Sequence, residues 1–227
     1  MNYRPNPLPP VVLNLLIINV LMFLATGFMS MQDVELWRTL GLYYVDSPHF
    51  RPYQIITHMF MHGSIMHIFF NMFALWMFGG PLENVWGAKR FLLYYFITGL
   101  GAAFLHQLVT GIEVYQQTGT FFPGIDSPFV NEKLYVSLFV PTVGASGAVF
   151  GLLLGFGMLF PNTRLFLIFL PIPIKAKYFV IGYAVIEIYL GFQQIPGDNI
   201  AHFAHVGGML FGFILLKLWQ RDRNRFY

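Results

Sequence analysis

The stretch PTVGASGAVFGLLLGFG, Pro141 to Gly157, is apolar enough to begin a membrane helix, yet it holds a hydroxyl, Ser146, among glycines. A spanning helix needs about 20 mostly apolar residues, with about 17 as the short limit. The run at 144–160 meets that rule, and so do five others, at 9–29, 65–81, 91–111, 177–194 and 201–219. The chain of 227 residues is 56% hydrophobic and 10% charged, against about 25% charged in soluble domains. These features predict an all-α polytopic membrane protein with six transmembrane helices in a single domain over residues 1–227. The first run has an apolar core longer than the about 7–15 residues of a secretory signal, so it is read as a retained helix.

Six helices put both termini on one side. If that side is the cytoplasm, the inner segments hold Arg4, Lys89, Arg90, Arg164, Lys175, Lys177, Lys217, Arg221, Arg223 and Arg225, ten of thirteen basic residues. Only Arg38, Arg51 and Lys133 remain outside, as the positive-inside rule requires. This scatter between apolar segments also accounts for the net charge of +3 and leaves no basic patch for nucleic acid. With no cysteine, disulfides, thiolate nucleophiles and cysteine-held metals are excluded. The outer connection 30–64, with Trp37, Tyr43, Tyr44, Phe50 and Tyr53, is expected to be a partly helical loop at the headgroup level. The other, 112–143, is expected to be mostly irregular, with a short ordered piece near 133–140.

Polar groups inside membrane helices are costly and face interior cavities. In this topology His67 and Asn71, Ser146, and His202 with His205 all fall near the outer ends of the second, fourth and sixth helices. Gly147, Gly151 and Gly155 form a small-residue stripe on the fourth helix, and Gly208 and Gly212 form one on the sixth. Such stripes let helices approach closely, which would bring Ser146 to His205. A serine needs a base within hydrogen-bond reach to act as a nucleophile, and histidine titrates in the right range. Oxyanion donors are available in the Ser146 backbone N–H, Asn71 and His67.

At this point the residues resemble the rhomboid family of intramembrane serine proteases. The motifs are HIFFN from His67 to Asn71, GASG from Gly144 to Gly147, and AHVGGMLFG from Ala204 to Gly212, with FR at Phe50–Arg51 and GGPLENVWG from Gly79, which includes Glu83. The resemblance implies a rhomboid-like bundle with an interfacial loop after the first helix, in a bacterial cell membrane. It implies Ser146 as nucleophile, His205 as base in a dyad without a third carboxylate, and His67 and Asn71 as oxyanion donors. It also implies Phe70 at a lateral opening between the second and fifth helices, and Phe150 against the imidazole. The family often has Tyr where Phe150 stands and Trp where Phe50 stands. Substrates would be transmembrane proteins with small residues at the scissile bond, cleaved near the outer surface without metal or other cofactor.

Other readings stay beside this one. A serine in a glycine-rich membrane helix is by itself more often a packing residue. A non-catalytic relative that binds membrane proteins would share the fold. His58, His62, His67, His202 and His205 could ligate zinc, although no H-E-x-x-H helix occurs and no acid accompanies them within a helix. His202 is expected to be structural or loop-facing, His58 and His62 to contact the interface or an ordered loop, and His106 to cap the outer end of the third helix. Arg51 is expected to anchor the loop at the phosphate level. Glu187 is left as a protonated group or one bonded to a neighbouring helix, outside the chemistry.

Overall fold

The structure, a computed structural model, describes residues 8–124, 132–167, 170–193 and 200–223. Helix α1 (Pro10–Ser30) opens on a proline, whose fixed φ suits a first turn and whose missing N–H is not needed there. The short helices α2 (Leu36–Leu40) and α3 (Gln54–Thr57) follow in the first outer connection. Helix α4 (Ile65–Ala74) passes through a π-wound segment, Leu75–Gly79, into α5 (Gly80–Trp86). Then come α6 (Ala88–Thr118), α7 (Glu132–Phe139) and α8 (Ser146–Leu159). Strands β1 (Arg164–Leu167) and β2 (Leu170–Lys175) lead to α9 (Ala176–Gln193) and α10 (His202–Arg223).

The chain is therefore a mainly helical membrane protein. Four stretches, Pro10–Ser30, Ile65–Trp86, Ala88–Thr118 and His202–Arg221, are long and apolar enough to cross a bilayer, and Ser146–Leu159 is a shorter apolar helix. Two expected boundaries move outward. The second apolar run continues past 81 to Trp86, and the third extends from 91–111 to Ala88–Thr118. Each ends where a glycine with positive φ breaks the turn, Gly87 (φ 76) and Gly119 (φ 75), the usual helix stop. At 1.5 Å per residue α6 is about 46 Å long, well beyond a hydrocarbon layer of about 30 Å.

The C-terminal half of α6 packs against the connection between α1 and α4. Tyr43 and Tyr44, expected at the headgroups, are buried, and the Tyr44 hydroxyl donates to the Phe121 carbonyl at 2.9 Å. Gln54 is buried and ties the loop together: its Nε2 donates to the Thr39 and His49 carbonyls, and its Oε1 accepts from the Arg51 N–H. Arg51, expected to reach lipid phosphate, turns its Nη1 back onto the Pro48 and Phe50 carbonyls at 3.0 and 2.7 Å.

Helix α8 sits against α6, α9 and α10 and is buried along most of its length. The glycine stripes are shared differently from expectation. A Cβ on Gly208 would meet the Gly147 carbonyl, so these two glycines mark the crossing of α8 and α10. Gly151 instead faces Thr98, Gly155 faces Trp86 and Tyr94, and Gly212 faces Tyr94. Each step of four residues turns a stripe by about 40° around the helix, so the lower glycines point to α6 and α5 rather than α10.

The two-stranded hairpin was not foreseen. Arg164 pairs with Lys175 and Leu165 with Ile174, and both strands are edges, where Pro171 and Pro173 are tolerated.

Glu83 of α5 anchors the start of α1. Its Oε1 and Oε2 accept from the backbone N–H groups of Val11 and Val12 at 3.0 and 2.8 Å, and its side chain is buried. These are first-turn donors without partners inside the helix, and the negative charge suits the helix N-terminus. Glu83→Gln replaces one acceptor by a donor and removes the charge. It should destabilise the protein by about 2 kcal/mol, on the scale of hydrogen bonds to charged groups. A lowered thermal midpoint in detergent checks this, and an unchanged midpoint contradicts the anchoring role.

Candidate active site

The segment before α8 is held from three sides. Leu42 and Thr142 exchange backbone hydrogen bonds at 2.9 and 2.8 Å. The Thr142 hydroxyl lies 2.7 Å from His106 Nε2, so His106 braces this segment rather than capping the end of α6. The Gly144 N–H donates to the His58 carbonyl at 2.9 Å. These ties set Gly144 at φ 135, a conformation open to glycine and strained for other residues.

A Cβ on Gly144 would lie 2.8 Å from His67 Nε2 and 3.6 Å from Ser146 Oγ. The histidine nitrogen and the hydroxyl therefore border one small space. His67 is set there by the first turn of α4, where its backbone N–H donates to Ser64 Oγ at 3.1 Å. Its Nδ1 accepts from the Gly63 N–H at 3.5 Å, which leaves the proton of the neutral ring on Nε2, toward the space. Asn71 is one turn further along α4, buried, with Nδ2 donated to the His67 carbonyl at 3.1 Å. Phe70 is 44% exposed on that helix, its ring edge against Phe69.

His205 arrives from the first turn of α10, next to the Gly147–Gly208 crossing. Its Nε2 lies 2.9 Å from Ser146 Oγ, and Ser146 is half-buried at the start of α8. The Phe150 ring stacks on the imidazole with centroids 4.1 Å apart and planes 8° from parallel. It also touches Tyr183 of α9.

The other side of this ring is held by Glu187, for which a bond to a neighbouring helix was one of the two readings open in the sequence. His205 Nδ1 is 2.8 Å from Glu187 Oε2, and His202 Nδ1 is 2.7 Å from the same oxygen. All three side chains are buried. A single carboxylate from the neighbouring helix α9 thus contacts the pair, where the resemblance implied none. A lone acid in an apolar helix was the available signal, since such groups need an interior partner.

The remaining histidines separate from this cluster. His58 Nδ1 donates to the Gln54 carbonyl at 2.8 Å, and burial pushes its ring down to about 4. His62 packs edge-on against His67 at 5.1 Å; burial first, and the neighbouring His67 imidazole second, push it down to about 4. Both rings are neutral near pH 7. Among the described residues the group with metal-ligand chemistry is Glu187, His202 and His205. Ligand atoms on a tetrahedral zinc with bonds of about 2.0–2.2 Å stand about 3.3 Å apart. The 2.7 and 2.8 Å separations here are those of charge-assisted hydrogen bonds.

Fold and site define a polytopic membrane protein with a serine–histidine pair bound between α8 and α10. A family model described as the Rhomboid domain matches residues 49–221, and the chain belongs to the rhomboid family. It is 23% identical over 215 residues to Rhomboid protease GlpG of Pectobacterium atrosepticum, covering 93% of this chain and 63% of that protein. It is 30% identical over 165 residues to Rhomboid protease GluP of Bacillus subtilis, covering 71% and 25%. It is 27% identical over 175 residues to Rhomboid protein 1, mitochondrial, of Saccharomyces cerevisiae, covering 75% and 44%. The chain thus spans less than two thirds of each of these relatives, two of which are named proteases.

Proposed function

We propose that this chain is an intramembrane serine endopeptidase that cleaves transmembrane proteins near the outer face of a bacterial cell membrane. The observation that carries the reading is the 2.9 Å contact of His205 Nε2 with Ser146 Oγ beneath a stacked Phe150. Six spans are supplied by α1, the α4–α5 pair, α6, α8, α9 and α10, with both termini cytoplasmic. Helix α8 has 14 residues, about 21 Å, which is short of the hydrocarbon thickness. Its first residue, Ser146, therefore lies below the outer surface, in a polar cavity that water enters from outside.

In this mechanism Ser146 Oγ attacks the scissile carbonyl while His205 Nε2 takes its proton. The oxyanion forms over Gly144, where the His67 Nε2–H and the Ser146 backbone N–H face it, with Asn71 as the third donor after its side chain turns from the His67 carbonyl. His205 passes the proton to the leaving amine, and water then hydrolyses the acyl ester by the same route in reverse. Phe70 flanks the lateral opening between α4 and α9 through which a substrate helix enters. Small residues at the scissile bond and helix-breaking residues below it favour cleavage, because an intact helix keeps its carbonyls hydrogen-bonded.

The test uses the purified protein in lipid vesicles with a labelled single-span substrate, with Ser146→Ala and with a chelator added to wild type. Cleavage by wild type that Ser146→Ala abolishes and chelator leaves unchanged is expected. Cleavage that persists in Ser146→Ala sinks the serine mechanism, and intact substrate throughout favours a binding role.

A further inference from the structure

Glu187 is the only acidic residue in α9. Its carboxylate oxygen Oε2 sits between two imidazole nitrogens, one of which belongs to the ring facing Ser146. We propose that Glu187 is a positioning residue for His205, which makes the Ser146–His205 pair part of a three-membered relay. The proposal rests on the serine-protease reading above.

A carboxylate only accepts hydrogen bonds, so Oε2 holds the proton of neutral His205 on Nδ1. Nε2 is then left with its lone pair toward Ser146 Oγ. An unheld imidazole divides between two tautomers and only one of them can act as base. Phe150 stacks on the ring at 4.1 Å and so restrains its plane. As phenylalanine it cannot donate or accept in that plane, and rotation within the plane is set by Glu187.

When the Ser146 proton moves to Nε2 the ring becomes an imidazolium. A buried carboxylate oxygen 2.8 Å from Nδ1 then opposes the new charge without solvent between them, where electrostatic attraction is strongest. His202 completes the geometry. Its Nδ1 contact of 2.7 Å on the same Oε2 holds the carboxylate from a second side, one helical turn from His205. The relay therefore runs from α8 through α10 to α9 and couples the chemistry to a helix that bears neither Ser146 nor His205.

The test measures kcat and KM for a labelled single-span substrate in vesicles, with wild type, Ser146→Ala, Glu187→Ala, Glu187→Gln, Glu187→Asp and His202→Ala, alongside thermal midpoints. Glu187→Ala should lower kcat by up to about 10⁴-fold, the scale seen when a triad carboxylate is lost, with KM within about threefold. Glu187→Gln, which keeps the shape and removes the charge, should lower kcat at least about tenfold beyond any loss of folded protein. Glu187→Asp should recover part of the activity.

Wild-type kcat per folded molecule in both Glu187→Gln and Glu187→Asp overturns the proposal while wild-type cleavage leaves the protease reading standing. Loss of activity to chelator, with His202→Ala as severe as Glu187→Ala, overturns it in favour of a bound metal. Absence of cleavage by wild type itself, across several substrates, overturns the protease reading and this proposal together.

Discussion

Gly144→Ala should lower substrate cleavage by about 10²–10³-fold or more, the cost of losing an oxyanion donor, although the new methyl meets Ser146 Oγ only at an ordinary contact distance of 3.6 Å. Two effects add. The backbone at φ 135 places a side chain in a region that costs of order 1–3 kcal/mol. The methyl would also stand 2.8 Å from His67 Nε2, in the space an oxyanion must occupy to meet that donor at about 2.7–3.1 Å. The two are separable because at Gly119, with φ 75, a Cβ would have no atom of the described residues within 4 Å. Gly119→Ala therefore supplies strain without obstruction, and it should lower the thermal midpoint modestly while keeping kcat near wild type. A Gly144→Ala protein that cleaves within tenfold of wild type would show that the oxyanion lies elsewhere.

The same glycine shows what the sequence made legible. The motifs from His67 to Asn71, Gly144 to Gly147 and Ala204 to Gly212 announce their chemistry through residue type and order, and His67, Ser146 and His205 do meet. The ties that set Gly144 were not legible. They are a backbone pairing with Leu42, a hydroxyl contact with His106 and a carbonyl of His58. Main-chain partners leave no trace in residue identity, and His106 sits far from any motif. Glu187 was legible in part, as an acid whose partner could lie on a neighbouring helix; that the partners are His202 and His205 depends on how α9 packs on α10, which residue identity does not carry. The pairing of Arg164 with Lys175 and of Leu165 with Ile174 was not legible either, because the segment carries prolines at 171 and 173 and no alternating pattern. A two-stranded hairpin tolerates both, since neither strand needs a second neighbour.

Gly208→Ala should cost both the fold and the activity, and of the glycines between α8 and α10 it is the least able to accommodate a methyl. Its built Cβ collides with the carbonyl of Gly147, 2.8 Å from the carbonyl carbon and 3.4 Å from the Cα. These are main-chain atoms inside a helix, so no rotamer change relieves the overlap and the helices must separate. Overpacking of that kind costs typically 1–3 kcal/mol, and more where the backbone itself has to move. The chemistry is more sensitive still. The Ser146–His205 contact of 2.9 Å spans the same crossing, and an opening of less than 1 Å carries it past the range of a hydrogen bond. Cleavage should therefore fall further than the folded fraction does, which thermal melting and activity measured on one preparation will separate. Gly182→Ala on α9, where a Cβ would have none of the described residues within 4 Å, provides the comparison and should leave activity unchanged, with any gain in helix propensity raising the midpoint slightly. If Gly208→Ala melts and cleaves like wild type, the close crossing of α8 and α10 is not what aligns the serine with the histidine.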